Sequence, residues 1–578
     1  MYDKLNRIEK VIFDVLAVGL VLFYSYSAVL RPAATQYHRG IYVIITYVLV
    51  FLIYKSKHKL WRIVDYVLIL LSIFSIGYWV LYFEVINYRT GAETPFDMTV
   101  AVIGVLIGIE LARRVVGSVF VVLGVLLLLY GVYGDYMPDL LSHAGDTFPG
   151  VCTSIFYKSD GIFGIMANVL ATYVLLFVLF GAFLEKSGAQ RFFIDFPLAA
   201  VGHRIGGPAK VAVIASGLFG SISGSAIANT VSTGAFTIPM MKKAGFKPHI
   251  AGAIEPAASI SGMFMPPIMG AGGFIMAELT GIPYSKIMLI AIFPALMYVF
   301  SVFTMVHFEA KIHNIKGEKS EHSAMEILKR EWYYTLPLIV ITIFMLAGYS
   351  PGYSAILGIV TCLVISWFRT DTRIGPKKFV EACRSGADNS LKIGATVGVI
   401  GIIIGVLTYS GLVLTFADIV IELAGGSLVL TILLIALASL VLGMGVPVTA
   451  AYLITAVVAV PALIHLGVNE IAAHMIVYWL SQDSNITPPV CIAAFAGATI
   501  AKANMWRTAF SSFKFAKFLY MSPFLFGYVP GYTLQGGTWA IVKAFVLIII
   551  GTYLYAYIMS FHWVHYANTK LFRKVEAA

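Results

Sequence analysis

Two stretches of small and polar residues hold the side chains best suited to binding a small cation. The first runs from Gly220 to Ser225 and is followed by Asn229 and Thr230. Glycine permits an unwound turn with free carbonyls, and serine and asparagine oxygens are hard ligands of the kind that small cations prefer. Close packing of helices through small residues is the alternative for the same pattern.

The second stretch is Gly443–Pro447, followed by Thr449. It has fewer side-chain oxygens than the first, so a cation held there would depend mainly on backbone carbonyls. The two stretches together predict a pair of cation sites.

Two proline pairs, Pro266-Pro267 and Pro488-Pro489, each interrupt an apolar run. Proline ends a helix just before it, and it is well placed at the first position of a new helix. We therefore predict that each pair starts a half-helix whose free N–H groups and positive dipole end favour an anion. A simple proline kink is the alternative, but two matching proline pairs favour a broken helix over a kink.

Acidic side chains inside apolar runs need a reason, since an aspartate at the centre of a spanning helix costs about 2.5–3.5 kcal/mol on insertion scales. Asp483 stands beside Asn485 and Thr487 and is the candidate for a charged group near the second cation site. Glu255 is either a proton carrier or a hydrogen-bonded structural acid, and Asp483 is a second possible proton carrier.

Composition places these residues in a membrane. The 578 residues are 59% hydrophobic and only 12% charged, with a mean hydropathy of +0.87, which excludes a soluble enzyme, a nucleic-acid binder and a disordered chain. The net charge of +11 is explained by basic cytoplasmic loops. The chain has no HExxH, GxSxG or Walker A motif, so neither an intramembrane enzyme nor an ATP-driven pump is indicated. The eight tryptophans fall mainly near segment ends, which predicts interfacial anchoring.

Loop charges and segment lengths predict the topology. In the first third of the chain the apolar runs lie at about 11–30, 41–54, 63–83, 98–112, 115–133 and 163–184, and the runs 41–54 and 98–112 are short enough to be interfacial. Two later runs, about 211–241 and 427–466, satisfy the basic loops only if each returns to its own side as a re-entrant hairpin. Both chain termini are predicted to be cytoplasmic.

The chain also contains an internal repeat. A shift of 222 positions places Pro239 on Pro461, Gly245 on Gly467, and the first proline pair on the second. We count five crossings between the two hairpins, an odd number, so the copies have inverted topology. Inverted repeats with broken helices are typical of secondary transporters with a site at the midplane of the membrane. A duplication without a transport role is the alternative.

These motifs resemble the membrane subunit of TRAP transporters, the tripartite ATP-independent periplasmic family. The resemblance rests on GSISGSAIANTVSTGAFTIPMMKKAGF (220–246), MPPIMGAGGFIMAE (265–278), GMGVPVTAAY (443–452) and ITPPV (486–490), and it covers about residues 160–535. The N-terminal region, with Phe96-Asp97 and Glu110–Gly117, resembles the small subunit fused in front, as in the TAXI-type branch. The implied domains are 1–160 (small-subunit-like scaffold helices), 161–535 (large-subunit-like core) and 536–578 (C-terminal membrane helix and cytoplasmic tail).

The resemblance implies an all-α polytopic membrane protein of the elevator type, with inverted repeats, two re-entrant helical hairpins and two broken helices. The family's cation positions carry over onto Ser223, Gly224, Ser225, Asn229, Gly262 and Pro266 in one half, and onto Gly443, Gly445, Thr449, Thr487 and Pro488 in the other. Substrate binding is assigned to the neighbouring Ser221, Ser261, Met263, Pro267, Asp483, Asn485 and Pro489. The chain departs from the family at Met263, where relatives usually carry Gln, and at Val446 and Val448, where Leu and Thr are common.

The sequence as a whole predicts a secondary active importer of organic acids, such as a C4 or C5 mono- or dicarboxylate, driven by sodium. The resemblance implies a TAXI-type periplasmic binding protein as partner, beside the lipid bilayer and the organic-acid substrate, and a location in the bacterial inner membrane. No nucleic-acid partner, no enzymatic activity, and no cofactor or metal other than coupling sodium ions are expected. A proton-coupled version and a cation/proton antiporter are the alternatives. An antiporter should have a buried Asp pair or Asp–Lys pair, for which only Asp483 qualifies.

Overall fold

The computed structural model describes residues 2–56, 59–317, 322–444 and 446–569, and the side chains of 59, 60 and 560–569 are not described. Two of the sequence predictions fall outside these residues, namely the cation position Gly445 and the cytoplasmic tail from residue 570 onward. All regular structure in the described ranges is helical.

The α-helices in chain order are α1 (Arg7–Val29), α2 (Thr35–Ile53), α3 (Lys59–Leu81), α4 (Phe83–Tyr88), α5 (Pro95–Val115), α6 (Ser118–Val132), α7 (Phe148–Tyr157), α8 (Ile165–Val169), α9 (Leu175–Lys186), α10 (Ala189–Val201), α11 (Gly207–Ser223), α12 (Ala226–Lys243), α13 (Pro248–Ser259), α14 (Ser261–Phe264), α15 (Gly270–Thr280), α16 (Tyr284–Ile312), α17 (Ala324–Glu331), α18 (Leu336–Leu346), α19 (Pro351–Ser366), α20 (Pro376–Gly394), α21 (Val397–Tyr409), α22 (Leu412–Leu423), α23 (Leu428–Leu442), α24 (Val448–His465), α25 (Glu470–Leu480), α26 (Ile492–Ala501), α27 (Met505–Phe515), α28 (Phe518–Tyr528) and α29 (Thr538–Thr569). A π-helical turn, Leu170–Val174, joins α8 to α9. Short 3-10 turns lie at Tyr2–Lys4, Gly134–Tyr136, Asp139–Leu141, Trp332–Thr335, Asp483–Asn485 and Pro530–Thr533.

Within the described ranges, nine helices are long and apolar enough to cross a membrane. The runs 41–54 and 98–112, which the sequence analysis considered short enough to be interfacial, belong to α2 and α5. These helices have 19 and 21 residues and are long enough to span a membrane. α5 starts earlier than its apolar run because Thr94 and Asp97 form a capping box ahead of it. The polar helix α20 was not predicted, because its many charged residues are typical of a loop between membrane helices.

Two compact units make up the chain. The first unit holds Met1–Gly188, Phe274–Tyr284 and Pro337–Gly467, and the second holds Ala189–Gly273, Ser285–Leu336 and Val468–Ala578. The first unit therefore contains the N-terminal helices and the hairpin α23–α24. The second contains the hairpin α11–α12, α13–α14 and α25–α29.

Ion pairs join helices to one another inside the first unit. Arg384 of α20 bonds Asp14 of α1 through two nitrogens at 2.7 Å each. Arg114 of α5 lies 2.5 Å from Asp65 of α3. Both pairs join helices that are far apart in sequence, so they fix the packing of the N-terminal helices on one another and on α20.

The internal repeat is visible in the helix boundaries. Three pairs of helices begin 222 residues apart, namely α12 and α24, α13 and α25, and α15 and α26. Both proline pairs contain a cis peptide bond. Met269 and Cys491, also 222 residues apart, both have positive φ, at 56° and 34°. The offset derived from the proline spacing is therefore confirmed, whereas the inverted orientation of the two copies stays a prediction.

Candidate functional site

The first hairpin turns at Gly224 and Ser225. α11 ends at Ser223 and α12 begins at Ala226, so the loop has two residues. Gly224 has φ +57°, in the left-handed region that glycine adopts without steric cost. The Ser225 side chain caps α12 by accepting a hydrogen bond from the N–H of Ala228 at 3.3 Å. The hairpin predicted at 211–241 thus extends over 207–243.

Ser223 is the residue at this tip whose side chain is best placed to serve a ligand. Its Oγ is buried and has no hydrogen-bond partner among the described residues. A buried polar atom without a partner costs free energy, so it indicates a place where a ligand or water completes the bonding. The tip also packs on the start of α15, because a Cβ built on Gly224 would lie 2.8 Å from the Cα of Gly270.

Behind the tip, the backbone of the first hairpin contacts the backbone of the first broken helix, which consists of α13, α14 and α15 and is interrupted at Pro266-Pro267. A Cβ built on Gly262 would lie 2.3 Å from the Cα of Gly220, which leaves no room for a side chain. Asn229 adds a side-chain tie, since its Nδ2 donates to the carbonyls of Ser216 at 2.8 Å and Ser259 at 3.4 Å. Two of the predicted cation positions, Asn229 and Gly262, therefore hold the hairpin against the broken helix.

The first broken helix is interrupted where the proline pair predicts it. α14 ends at Phe264, and helical structure resumes only at Gly270, after Pro266 and Pro267. The prediction that each pair starts the second half-helix is wrong, because α15 and α26 begin three residues after their prolines. A residue before proline is disfavoured in the α region, so the first proline of a pair is kept out of a helix, and the chain turns again at Met269 before α15 begins.

Tyr478 of α25 supports this non-helical segment. Its hydroxyl contacts the carbonyl of Met263 and lies 2.5 Å from the carbonyl oxygen of Met269. The ring also packs against α15, since a Cβ built on Gly272 would lie 2.1 Å from it. The two broken helices are therefore joined directly inside the second unit.

The second broken helix carries a pair of buried acceptor oxygens. Asp483 is 2% exposed, and its Oδ1 has no hydrogen-bond partner in the described part of the chain. The neighbouring Gln482 Oε1 has none there either. Asn485 donates from Nδ2 to the carbonyl of Gln482 at 3.2 Å, and the Thr487 hydroxyl contacts the hydroxyl of Tyr520. Two adjacent acceptors without donors suit a cation or a proton.

The residues assigned to the second cation site are divided between the two compact units. Gly443 and Thr449 lie at the tip of the hairpin α23–α24 in the first unit. Thr487 and Pro488 follow α25 in the second unit. The second hairpin matches the predicted range 427–466 to within a residue at each end, and its connection is longer than that of the first hairpin.

Most of the residues assigned to substrate line the break in the helices. Ser221, Ser261 and Met263 are buried, and both serine hydroxyls donate to a carbonyl three residues earlier, at 2.8 and 2.6 Å. Their lone pairs are left to accept. Pro267 is buried, whereas Pro489 is exposed.

The sequence analysis missed three polar side chains of the second unit, namely Tyr478, Gln482 and Tyr520. The tyrosines sit in apolar helices and resemble ordinary packing residues, so neither gave a signal. Gln482 directly precedes Asp483. Its polar side chain within an apolar run could have indicated that it belongs to the site.

Comparison with known proteins gives a family match over most of the chain. The family model described as the tripartite ATP-independent periplasmic transporter, DctM component, matches residues 103–532. The C4-dicarboxylate TRAP transporter large permease protein DctM of Pseudomonas aeruginosa is 24% identical over 404 residues, which are 68% of this chain and 93% of that protein. The sialic acid TRAP transporter permease protein SiaT of Haemophilus influenzae is 22% identical over 342 residues, 57% of this chain and 54% of that one.

Among solved structures, the YdaH transporter of Alcanivorax borkumensis is similar with a TM-score of 0.46 and 17% identity, covering 75% of this chain and 98% of that one. The curated relatives whose names state a function are transporter permeases. TRAP large permeases work with a periplasmic binding protein. Since the family model covers well over half of the residues, the chain belongs to the DctM family of TRAP transporter large permeases.

Proposed function

We propose that this permease is a secondary active importer of organic acids, such as C4 or C5 carboxylates, driven by a sodium gradient. The names of its relatives support an acidic substrate, since they specify C4-dicarboxylate, sialic acid and 2,3-diketo-L-gulonate. All three are carboxylates at neutral pH. The positive dipole ends of the half-helices α15 and α26 suit such a substrate.

The proposal of sodium coupling rests on the geometry at the tip of the first hairpin. There the partnerless Ser223 hydroxyl and the left-handed Gly224 lie against the start of α15. An unwound turn supplies carbonyl oxygens and the serine a hydroxyl oxygen, which together are ligands for a hard monovalent cation. The cation would then lie beside the anionic substrate, so that each favours binding of the other.

The remaining parts of the proposal concern the machinery around this site. Residues 1–160 serve as a fused small subunit, a region that lies largely ahead of the family match at 103–532. The two re-entrant hairpins and the two broken helices move as an elevator against the other helices. A TAXI-type periplasmic binding protein delivers the substrate, and both termini face the cytoplasm of a bacterial cell with the chain in the inner membrane.

Thermal unfolding in sodium and in potassium, at constant ionic strength, tests the sodium site without knowledge of the substrate. A ligand that binds only the folded state stabilises by RT ln(1 + [L]/Kd), about 1.4 kcal/mol at ten times Kd. We expect sodium to raise the Tm of the wild type, and to raise it less in Ser223→Ala, which lacks a ligand of the first cation site, and in Thr487→Ala, which lacks one of the second. Because the Ser223 hydroxyl bonds to no described residue, its loss should leave the Tm in potassium nearly unchanged.

Ser187→Ala is the matched control, since this buried hydroxyl donates to the carbonyl of Leu184 at 2.7 Å, far along the chain from the proposed site. It should keep the full response to sodium. Equal unfolding temperatures in sodium and potassium for the wild type would exclude a sodium site in the isolated permease.

A further inference from the structure

Among the described residues of the second unit, Glu255 has the most deeply buried carboxyl group. It lies in the first broken helix, on α13, and is 0% exposed. Both arms of the first hairpin, α11 and α12, pack against α13. The carboxyl group therefore sits where the hairpin and the broken helix meet.

Four hydroxyl groups surround the two carboxyl oxygens. Ser216 of α11 donates to Oε1 at 2.5 Å, and Thr233 of α12 contacts the same oxygen. Ser259, one turn further along α13, donates to Oε1 at 3.3 Å. Thr237 of α12 lies 2.5 Å from Oε2. A single carboxyl group thus joins three helices.

No basic side chain neutralises Glu255 among the described residues. The charged groups and histidines on α13 and on the helices that contact it, other than Glu255 itself, are Lys210 of α11, Lys242 and Lys243 of α12, His249 of α13, Arg507 and Lys514 of α27, and Lys286, His307, Glu309 and Lys311 of α16, whose Tyr298 donates to the Ala257 carbonyl. None of them forms an ion pair or hydrogen bond with Glu255. α14 and α26 contain no titratable residue.

Three of these basic groups have their own partners. Lys210 bonds His307 at 3.1 Å, Lys242 donates to the carbonyl of Ala501 at 2.8 Å, and Lys514 pairs with Glu309 at 2.7 Å. Transfer of an unpaired carboxylate into an apolar interior is so costly that such a group normally takes up a proton instead. Glu255 is therefore in a setting that favours a neutral acid.

The hydroxyl groups suit either protonation state, because two of them have a second acceptor within reach. Thr233 lies 2.7 Å from the carbonyl of Asn229, and Thr237 lies 3.1 Å from the carbonyl of Thr233. When Glu255 is charged, all four hydroxyls can donate to it. When it is protonated, its O–H can donate to Thr237, whose own proton then turns to the Thr233 carbonyl. Rotation of hydroxyls alone satisfies both forms.

We propose that Glu255 is a proton-binding site of the transport cycle, which takes up one proton on one side of the membrane and releases it on the other. This rests on the proposed function, and it adds a proton to the sodium ion as a coupling ion. In the binding step an Oε2 lone pair forms an O–H bond with a proton of a hydronium ion, whose own O–H bond breaks to leave water. In the release step the Oε2–H bond breaks and the proton passes to a water molecule. The carboxyl joins the hairpin to the broken helix, so its charge state affects the part of the protein that holds the substrate.

Infrared spectroscopy of the full chain in lipid bilayers tests this proposal without any substrate. We expect a carbonyl band of a protonated carboxylic acid at neutral pH that moves when the protein contains ¹³C-glutamate, which separates it from Asp483. The band should be lost in Glu255→Gln and kept in Glu278→Gln, whose carboxylate accepts from Asn168 at 2.8 Å in the first unit. It should also decrease as the pH rises and shift in D₂O, because the proton must exchange with solvent.

Two substitutions at Thr237 test the same site through the position of the Glu255 carbonyl band. Thr237→Val removes the hydroxyl that bonds Oε2 and should shift the band, whereas Thr237→Ser should leave it in place. A glutamate band that survives Glu255→Gln would overturn the proposal, and so would a Glu255 band that neither titrates nor exchanges. The band does not depend on sodium, so loss of the sodium effect on Tm with an intact, exchanging Glu255 band would overturn the sodium coupling alone.

Discussion

Gly262→Ala should strongly destabilise the permease. A methyl group at this position would lie 2.3 Å from the Cα and 2.4 Å from the carbonyl carbon of Gly220, and neither backbone atom can turn aside as a side chain does. Overpacking usually costs about 1–3 kcal/mol, and contact with a backbone places this substitution at or above the upper end. Thermal unfolding in detergent or nanodiscs measures the effect. The stabilisation by sodium should decrease as well, because the tip of the first hairpin would be pushed away from the first broken helix.

Gly217→Ala is the matched control, on α11, the helix that Gly262 approaches. Its new methyl group would meet nothing closer than the Ser261 Oγ at 3.6 Å, an ordinary van der Waals distance. It should unfold within a degree or two of the wild type and keep its sodium response. Equal stability of the two variants would contradict the close approach of α11 and α14.

Lys514→Met should cost about 3–5 kcal/mol of unfolding free energy, the usual price of breaking a buried ion pair. Lys514 Nζ lies 2.7 Å from Glu309 Oε2, and the two side chains are 12% and 4% exposed. Without the lysine, the ion-pair partner left to the carboxylate among the described residues is His313, at 3.5 Å. Denaturant or thermal unfolding of the two proteins gives the difference.

The double variant Glu309→Gln with Lys514→Met separates two causes of the lost stability, namely the missing attraction between the two charges and the cost of leaving the Glu309 carboxylate buried without its partner. It should recover much of the stability, because no charge is left buried without a partner. Arg113→Met is the exposed control, since Arg113 is 57% exposed beside Glu110, and it should cost at most about 1 kcal/mol. A loss below that value for Lys514→Met would show that the pair contributes little.

The sequence predicted the hairpins and the breaks because each depends on residues with strong backbone preferences. Gly224 allows the left-handed turn between α11 and α12, and each proline pair excludes helix at its own position. The repeat offset was readable for the same reason, since prolines and glycines mark boundaries. The exact start of α15 and α26 was not, because it depends on the extra turn at Met269 and Cys491.

Contacts between distant segments account for what the sequence did not predict. Trp479, expected at the membrane interface, is fully buried and stacks on Phe264 with ring centroids 3.9 Å apart. The four hydroxyls around Glu255 come from three helices, so the sequence left its role open between a structural acid and a proton carrier. The Gly220–Gly262 contact joins residues 42 positions apart that each resemble ordinary small helix residues.

Uptake by proteoliposomes tests the proposed function most directly. The purified permease would be reconstituted, and labelled C4 and C5 mono- and dicarboxylates supplied outside together with the periplasmic binding protein. We predict accumulation above the external concentration under an inward sodium gradient, its collapse with a sodium ionophore, and its loss in Ser223→Ala. Accumulation that is unchanged without sodium, or that occurs with none of these acids under any sodium or proton gradient, would contradict a sodium-driven importer of organic acids.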